Sequence, residues 1–346
     1  MTEWSQGPAE VAHAGLESEM AGGGGGYYFD PLQLVADASD EGKLLREVLQ
    51  RRLGMSRRLL VKLKRTEAGI VVNGSRARTS DRVAAGDRIE LRIEREESKD
   101  ILPQPMALDI VFEDEHLLVV NKPSGQIVHP TTGHYAGTLA NGIVHYWREK
   151  GEKSRFHPVH RLDEHTSGLV VVAKHAYAHQ QLSGQMSEGR VEKRYRAYVH
   201  GAPPARDGEV NAPIGRADGD PHRRVVREDG APSLTYYETA KVYGCGATAL
   251  DIRLGTGRTH QIRVHMLHVG CPLIGDEYYA DPEHTDSALA ARLASSGVIA
   301  RQALHAARLG FRHPVTGADM RLEAALPEDL QSLEGALSAW STTSGV

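Results

Sequence analysis

Apolar residues recur at helical spacing near the start of the chain and then give way to strand-like runs. In 43–65, "KLLREVLQRRLGMSRRLLVKLKR", Leu44, Leu45, Val48, Leu49 and Leu53 mark one helix face. Gly54 is placed to end that helix, and Ser56 to cap a second that turns Leu59, Leu60 and Leu63 inward. "GIVVNGSRA" then predicts a short strand with an Asn73-Gly74 hairpin turn, and "GDRIELRI" a further strand. Past "EREESKDILPQP", which reads as a charged linker ending in proline, the apolar runs are longer and flanked by turn residues. Strands are predicted in "LLVVNK", "GLVVVAK", "RYRAYVHG", "TYYETAKVYG" and "ALDIRLG", and fewer helices, mainly around 137–149, 176–189 and 259–269. Residues 203–232, rich in Gly, Pro and Arg, read as an insertion or long loop.

Many strands with few helices and no βαβ alternation predict an α+β fold built on a mixed, largely antiparallel sheet. The expected organisation is a disordered acidic, Gly-rich tail over 1–26 and a small helix-and-sheet domain over 27–97. A linker over 98–105, a large domain over 106–337 and a C-terminal tail over 338–346 complete it. The tail ends in "GGGGG" and is too poor in apolar residues to offset its ordering entropy.

Charge sharpens this picture because it is unevenly placed. The net charge of −4 conceals eight acids and no Lys or Arg in 1–42, followed by nine basic residues and one acid in 43–65. Arg51, Arg52, Arg57, Arg58 and Lys62 fall on outward helix positions without interleaved glutamates, a density of like charge that a polyanion would relieve. Two cysteines cannot make a disulfide framework, no apolar run reaches the length of a membrane span, and the first twenty residues lack a secretory pattern. A cytoplasmic protein is expected.

The chemistry is concentrated in "HPVHRLDEHTSGLVVVAK" (157–174) and "LGTGRTHQIRVHMLHVGCPLIGDEYY" (254–279). A zinc site is disfavoured because the histidines alternate with Arg161, Arg258 and Arg263, and no HExxH or CxxC spacing occurs. A glycosidase-type acid pair has no motif either, since the side chains of Asp163 and Glu164 diverge in any regular element. "TSG" precedes a strand, the wrong order for a serine nucleophile. One carboxylate, Asp163, remains among many cations. In the last stretch Thr259 is placed to cap a helix that exposes Arg258 and His260 and carries Arg263.

These stretches, together with "VNKPSGQIVHP" (120–130) and "EKRYRAYVHG" (192–201), follow one another behind a small basic domain. In that order they resemble the RluA family of pseudouridine synthases, near its large-subunit rRNA members. The likeness runs over about 300 residues and is carried most specifically by "HRLDxxTSG" and "TGRTHQIRVH". The basic unit resembles an αL-type RNA-binding domain. The resemblance implies isomerisation of uridine in RNA, rRNA or tRNA, by base flipping, with no metal or cofactor and no membrane, in a monomer. It implies Asp163 as the catalytic aspartate, nucleophile or base, Tyr195 stacking on the uracil, and Arg263 pairing with the aspartate. Arg161 would help displace the base, with Lys122 of "NKPSG", Arg258 and His260 as further RNA contacts. A non-catalytic RNA-binding protein and a base-removing glycosylase are the competing readings.

Overall fold

The computed structural model describes residues 27–343, with side chains to Trp340. The expected disordered tail, 1–26, lies outside the described residues.

The first unit is four short strands and two helices: β1 (Leu32–Val35), α1 (Leu45–Leu53), α2 (Arg57–Arg65), β2 (Ile70–Val72), β3 (Ser75–Arg76) and β4 (Arg88–Leu91), with sheet order β1-β4-β2-β3. Gly54 ends α1 in the left-handed conformation, φ 60°. The Ser56 hydroxyl accepts the Leu59 N–H and so starts α2. Asn73 and Gly74, φ 49° and 79°, turn the β2–β3 hairpin, where Val72 faces Ser75. Leu45, Val48, Leu49, Leu59, Leu60 and Leu63 are buried in one core with Ile70, Ile89 and Leu91.

The second unit runs β5 (Ile110–Glu113), β6 (Leu117–Lys122), α3 (Leu139–Glu149), β7 (His157–Pro158), β8 (Ser167–Ala173), α4 (Ala176–Ser187) and β9 (Glu192–His200). It continues through β10 (Asp207–Asn211), β11 (Ile214–Ala217), β12 (Asp220–Val226), β13 (Leu234–Tyr243), β14 (Ala247–Leu254) and α5 (Gln261–His268). It closes with α6 (Ser287–Ser296), β15 (Leu304–Arg312), β16 (Asp319–Glu323) and α7 (Glu328–Thr343). Ten strands form one sheet, ordered β10-β13-β14-β9-β15-β8-β6-β5, with β16 beside β15 and β7 beside β8. Its pairs are antiparallel except β15 with β8, the mixed, largely antiparallel sheet of an α+β fold. Every residue of β8 is buried, which explains its unbroken apolar run.

Three expectations need correction. Residues 203–232 are not a loop: they supply the edge strand β10 and the β11–β12 hairpin, whose polar residues gave no apolar alternation to read. Helices α6 and α7 were not expected; α7 runs through the 337–338 point at which a tail was placed, burying Leu330, Leu333 and Leu337. The basic face of α1 is not uncompensated either. Arg51 pairs with Asp40, and Arg52 with Asp37 and Asp40 at 2.6 Å each, from the segment before the helix.

The two units are joined through α4. Gln180 brackets the α1–α2 turn, donating to Gly54 O (2.5 Å) and accepting Ser56 N–H (3.0 Å), and Gln181 donates to Leu53 O (2.9 Å). Tyr177 packs in the small unit's core, and Arg95 pairs with Glu115.

Candidate active site

A cleft of about 630 Å³ opens along the sheet and gathers segments that lie far apart in sequence. The loop before β8 brings Arg161 and Asp163, β9 brings Lys193 and Tyr195, the turn into α5 brings Arg258 and His260, and the first turn of α5 brings Arg263. Asp163 and Arg263, one hundred residues apart, face each other, with the carboxylate Oδ2 3.5 Å from the guanidinium Nη1. Arg263 is oriented from behind. Its Nε and Nη2 donate to the two oxygens of buried Asp276, at 2.6 and 2.7 Å, which leaves Nη1 for Asp163. Burial would lower the Arg263 pKa, but Asp276 and Asp163 hold it above its ordinary value. The Arg263 guanidinium also lies 4.7 Å over the Tyr279 ring.

Tyr195 is buried, and its phenol is pushed up, first by burial and then by the Asp163 charge, so it remains a neutral aromatic plate. His260 holds a left-handed backbone, φ 57°, immediately before α5, and its Nδ1 is 2.8 Å from the Tyr279 hydroxyl. Thr259 was expected to cap α5; His260 occupies that position, without a side-chain cap bond. A non-glycine residue at positive φ is strained, and its cost is met by Tyr279 and by the packed turn around it. Burial lowers the His260 pKa; the Asp163 charge opposes that fall, and Arg263 adds to it.

The Asp163 loop is braced on both sides. The Lys122 ammonium, fully buried, donates to Pro123 O, Gln126 O and Glu164 O at 2.7, 2.8 and 3.0 Å. Gly125 N–H donates to Glu164 O, and the Ser124 hydroxyl to His165 O. From the other side Arg301, itself held by Asp329, donates to His165 O at 3.1 Å, and the Gln302 amide reaches the Thr166 hydroxyl. Gly168 closes the loop onto β15. A Cβ there would lie 2.3 Å from the Ala306 carbonyl oxygen, so only glycine lets the strands meet.

Asp163, Tyr195, Arg263, Arg161, Arg258 and His260 are therefore brought into one cleft. Lys122 is not an RNA contact but an internal tie, because its ammonium is spent on three carbonyls and screened from solvent. Arg57 and Arg58 stand exposed on α2, with no acid within ion-pairing distance among the described residues, whereas Lys62 pairs with Glu96. Sequence reading missed Asp276, Arg301 and Gln302. It also missed the orienting role of Gln261, which accepts from Thr256 and the Arg258 N–H. Gln261 makes these bonds within its own turn, whereas Asp276, Arg301 and Gln302 have no local spacing signature and meet their partners only in the folded chain.

The chain matches the family model described as RNA pseudouridylate synthase over residues 116–268. A protein of Bacillus subtilis (strain 168) named "Uncharacterized RNA pseudouridine synthase YlyB" is 40% identical over 76% of this chain and 84% of its own. "Ribosomal large subunit pseudouridine synthase D" of Neisseria meningitidis (strain Z2491) is 41% identical over 77% of this chain and 71% of its own. Among solved structures, "Human RNA Pseudouridylate Synthase Domain Containing 4" shares the fold, with a TM-score of 0.55 over 66% of this chain and 92% of that one, at 24% identity. The chain belongs to the RNA pseudouridine synthase family, in its RluA branch, and is an enzyme that isomerises uridine in RNA to pseudouridine.

Proposed function

We propose that the substrate is large-subunit ribosomal RNA and that the reacting uridine leaves its stack to enter the cleft, with Asp163 as the catalytic carboxylate. The support for rRNA is the naming of relatives as ribosomal large subunit pseudouridine synthases. The observation that carries the catalytic reading is the Asp163–Arg263 contact beside Tyr195, with Arg263 aimed by Asp276. Isomerisation breaks C1′–N1, turns the uracil and joins C5 to C1′; C5 loses its hydrogen and N1 gains one, with no net redox change. Asp163 acts at the sugar or on the base, with the Arg263 guanidinium 3.5 Å from its carboxylate. Tyr195 holds the flipped base by stacking. Arg161, exposed at the cleft mouth, enters the gap the base leaves, and Arg258 and His260 line the strand's path. The small unit, 27–97, serves as an RNA-binding domain through the exposed face of α2. We read the enzyme as a cytoplasmic monomer.

The test is a map of pseudouridine by carbodiimide-dependent primer stops in rRNA from cells lacking the enzyme, after incubation with purified protein. Wild type is expected to restore discrete stops and Asp163→Asn to restore none. Equal maps from both would refute the assignment of Asp163, and release of free uracil would make the protein a glycosylase.

A further inference from the structure

Lys193 is the one cation of the cleft that neither the catalytic reading nor the fold uses. It lies two residues before Tyr195 on β9, so both side chains project from the same face of the strand, about 6.7 Å apart along it. Its Nζ has no hydrogen-bond or ion-pair partner among the described residues, unlike Arg263, Arg301 and Lys122. His160, whose pKa the Lys193 charge reaches, adds no negative charge: burial first and Lys193 second bring it down to about 4. Across the cleft stands Gly257, where a Cβ would sit 3.2 Å from the Lys193 ammonium. The backbone at Gly257 does not take positive φ, so its missing side chain serves space and not conformation. Burial lowers the Lys193 pKa with no acid to offset it. A half-buried cation without a counter-ion is costly, and a bound anion would repay that cost.

We propose that Lys193 and the open face of Gly257 form a subsite for one backbone phosphate of the RNA strand, a nucleotide step from the base stacked on Tyr195. The inference rests on the reading that the cleft takes an RNA strand. A phosphodiester fits because a one-nucleotide step is comparable to the separation of Lys193 and Tyr195 along β9. Lys193 acts on binding and register, and Asp163 on the bond.

The experiment measures binding of an in vitro-transcribed large-subunit rRNA to the full chain across a salt titration, with kcat and KM on the same RNA. Lys193→Met keeps the aliphatic stem and removes the charge. It should weaken binding roughly tenfold, reduce the slope of log K against log salt by about 0.7–0.9, raise KM and leave kcat within about twofold. Lys193→Arg should retain the slope. Gly257→Val should weaken binding in the wild-type background and add little to Lys193→Met, because both act on one contact. An unchanged slope in Lys193→Met, or a fall in kcat at constant KM, overturns the phosphate assignment; so do additive effects of the two substitutions. A wild-type protein that neither binds nor modifies the RNA instead overturns the rRNA reading, so the two failures are separable.

Discussion

Asp163 sits in a cleft with its side chain 26% exposed, and one guanidinium faces it at 3.5 Å. That guanidinium is itself fixed by a second carboxylate, so the role proposed for Asp163 depends on Asp276, which stands behind Arg263 and not in the cleft lining. Lys122 shows the converse, a cation inside the signature motif that serves geometry alone. Burial pushes it down to about 7, while three carbonyl acceptors favour its three-donor charged form. Replacing it takes that donor from Pro123 O and Gln126 O, while Glu164 O keeps the Gly125 N–H. Lys122→Met is expected to cost about 1–3 kcal/mol in urea denaturation and to leave the salt slope of RNA binding unchanged. A slope lower by about one would show that Lys122 reaches phosphate after all.

At the scale of elements, α1 and α2 look alike in sequence but differ in use. The arginines near the end of α1, Arg51 and Arg52, are tied to Asp37 and Asp40, and their work is to pin the preceding turn. Arg57 and Arg58 open α2 with their charge facing solvent, and Lys64 and Arg65 continue that face. Arg57→Ala with Arg58→Ala should therefore lower the salt slope of RNA binding by about 1.5 without shifting the unfolding midpoint. Arg51→Ala with Arg52→Ala should do the reverse, because buried Asp40 loses its partners. The reverse pattern in a paired salt and urea titration would reject this division. Helix α4 holds the turn between the two helices through Gln180 and Gln181, so the basic face of α2 has a set relation to the cleft.

Across the whole molecule, histidines line the junction of the two units. His116 Nδ1 lies 3.0 Å from His175 Nε2, the His157 and His179 rings are tilted against each other at 5.5 Å, and His313 pairs with Asp114. Around them stand Asp30, Asp114, Glu96, Arg95, Arg155, Lys62 and Lys174. Burial is the leading cause lowering His116, His157, His175 and His179, with His157 brought to about 4. Each of these bases has a folded pKa below its unfolded value near 6.5. The unfolded chain thus takes up protons that the folded chain refuses, and stability is lost as pH falls from about 6.5 towards 4. The thermal midpoint at pH 5 should lie at least about 3 °C below that at pH 7.5. An equal or higher midpoint at pH 5 would show that these histidines charge freely in the fold.

What the chain's order of residues determined by itself is local. Leu44 to Leu63 wrote two helices, Gly54 and Ser56 ended and started them, and Asn73-Gly74 turned a hairpin, because helix period, caps and tight turns depend on neighbours a few positions away. The motifs likewise singled out Asp163, Tyr195 and Arg263, whose residue types and order resemble a known family. The polar β11–β12 hairpin and edge strand β10 escaped, since edge pairing leaves no apolar alternation. Only the tertiary structure decided which cations face the cleft and which are spent inside. That choice turns on partners far along the chain: Asp276 behind Arg263, Glu164 O on Lys122, Asp40 on Arg51, and, among the described residues, none on Lys193. A charge's use depends on burial and on its nearest opposite charge, and both are set by how strands cross in the sheet.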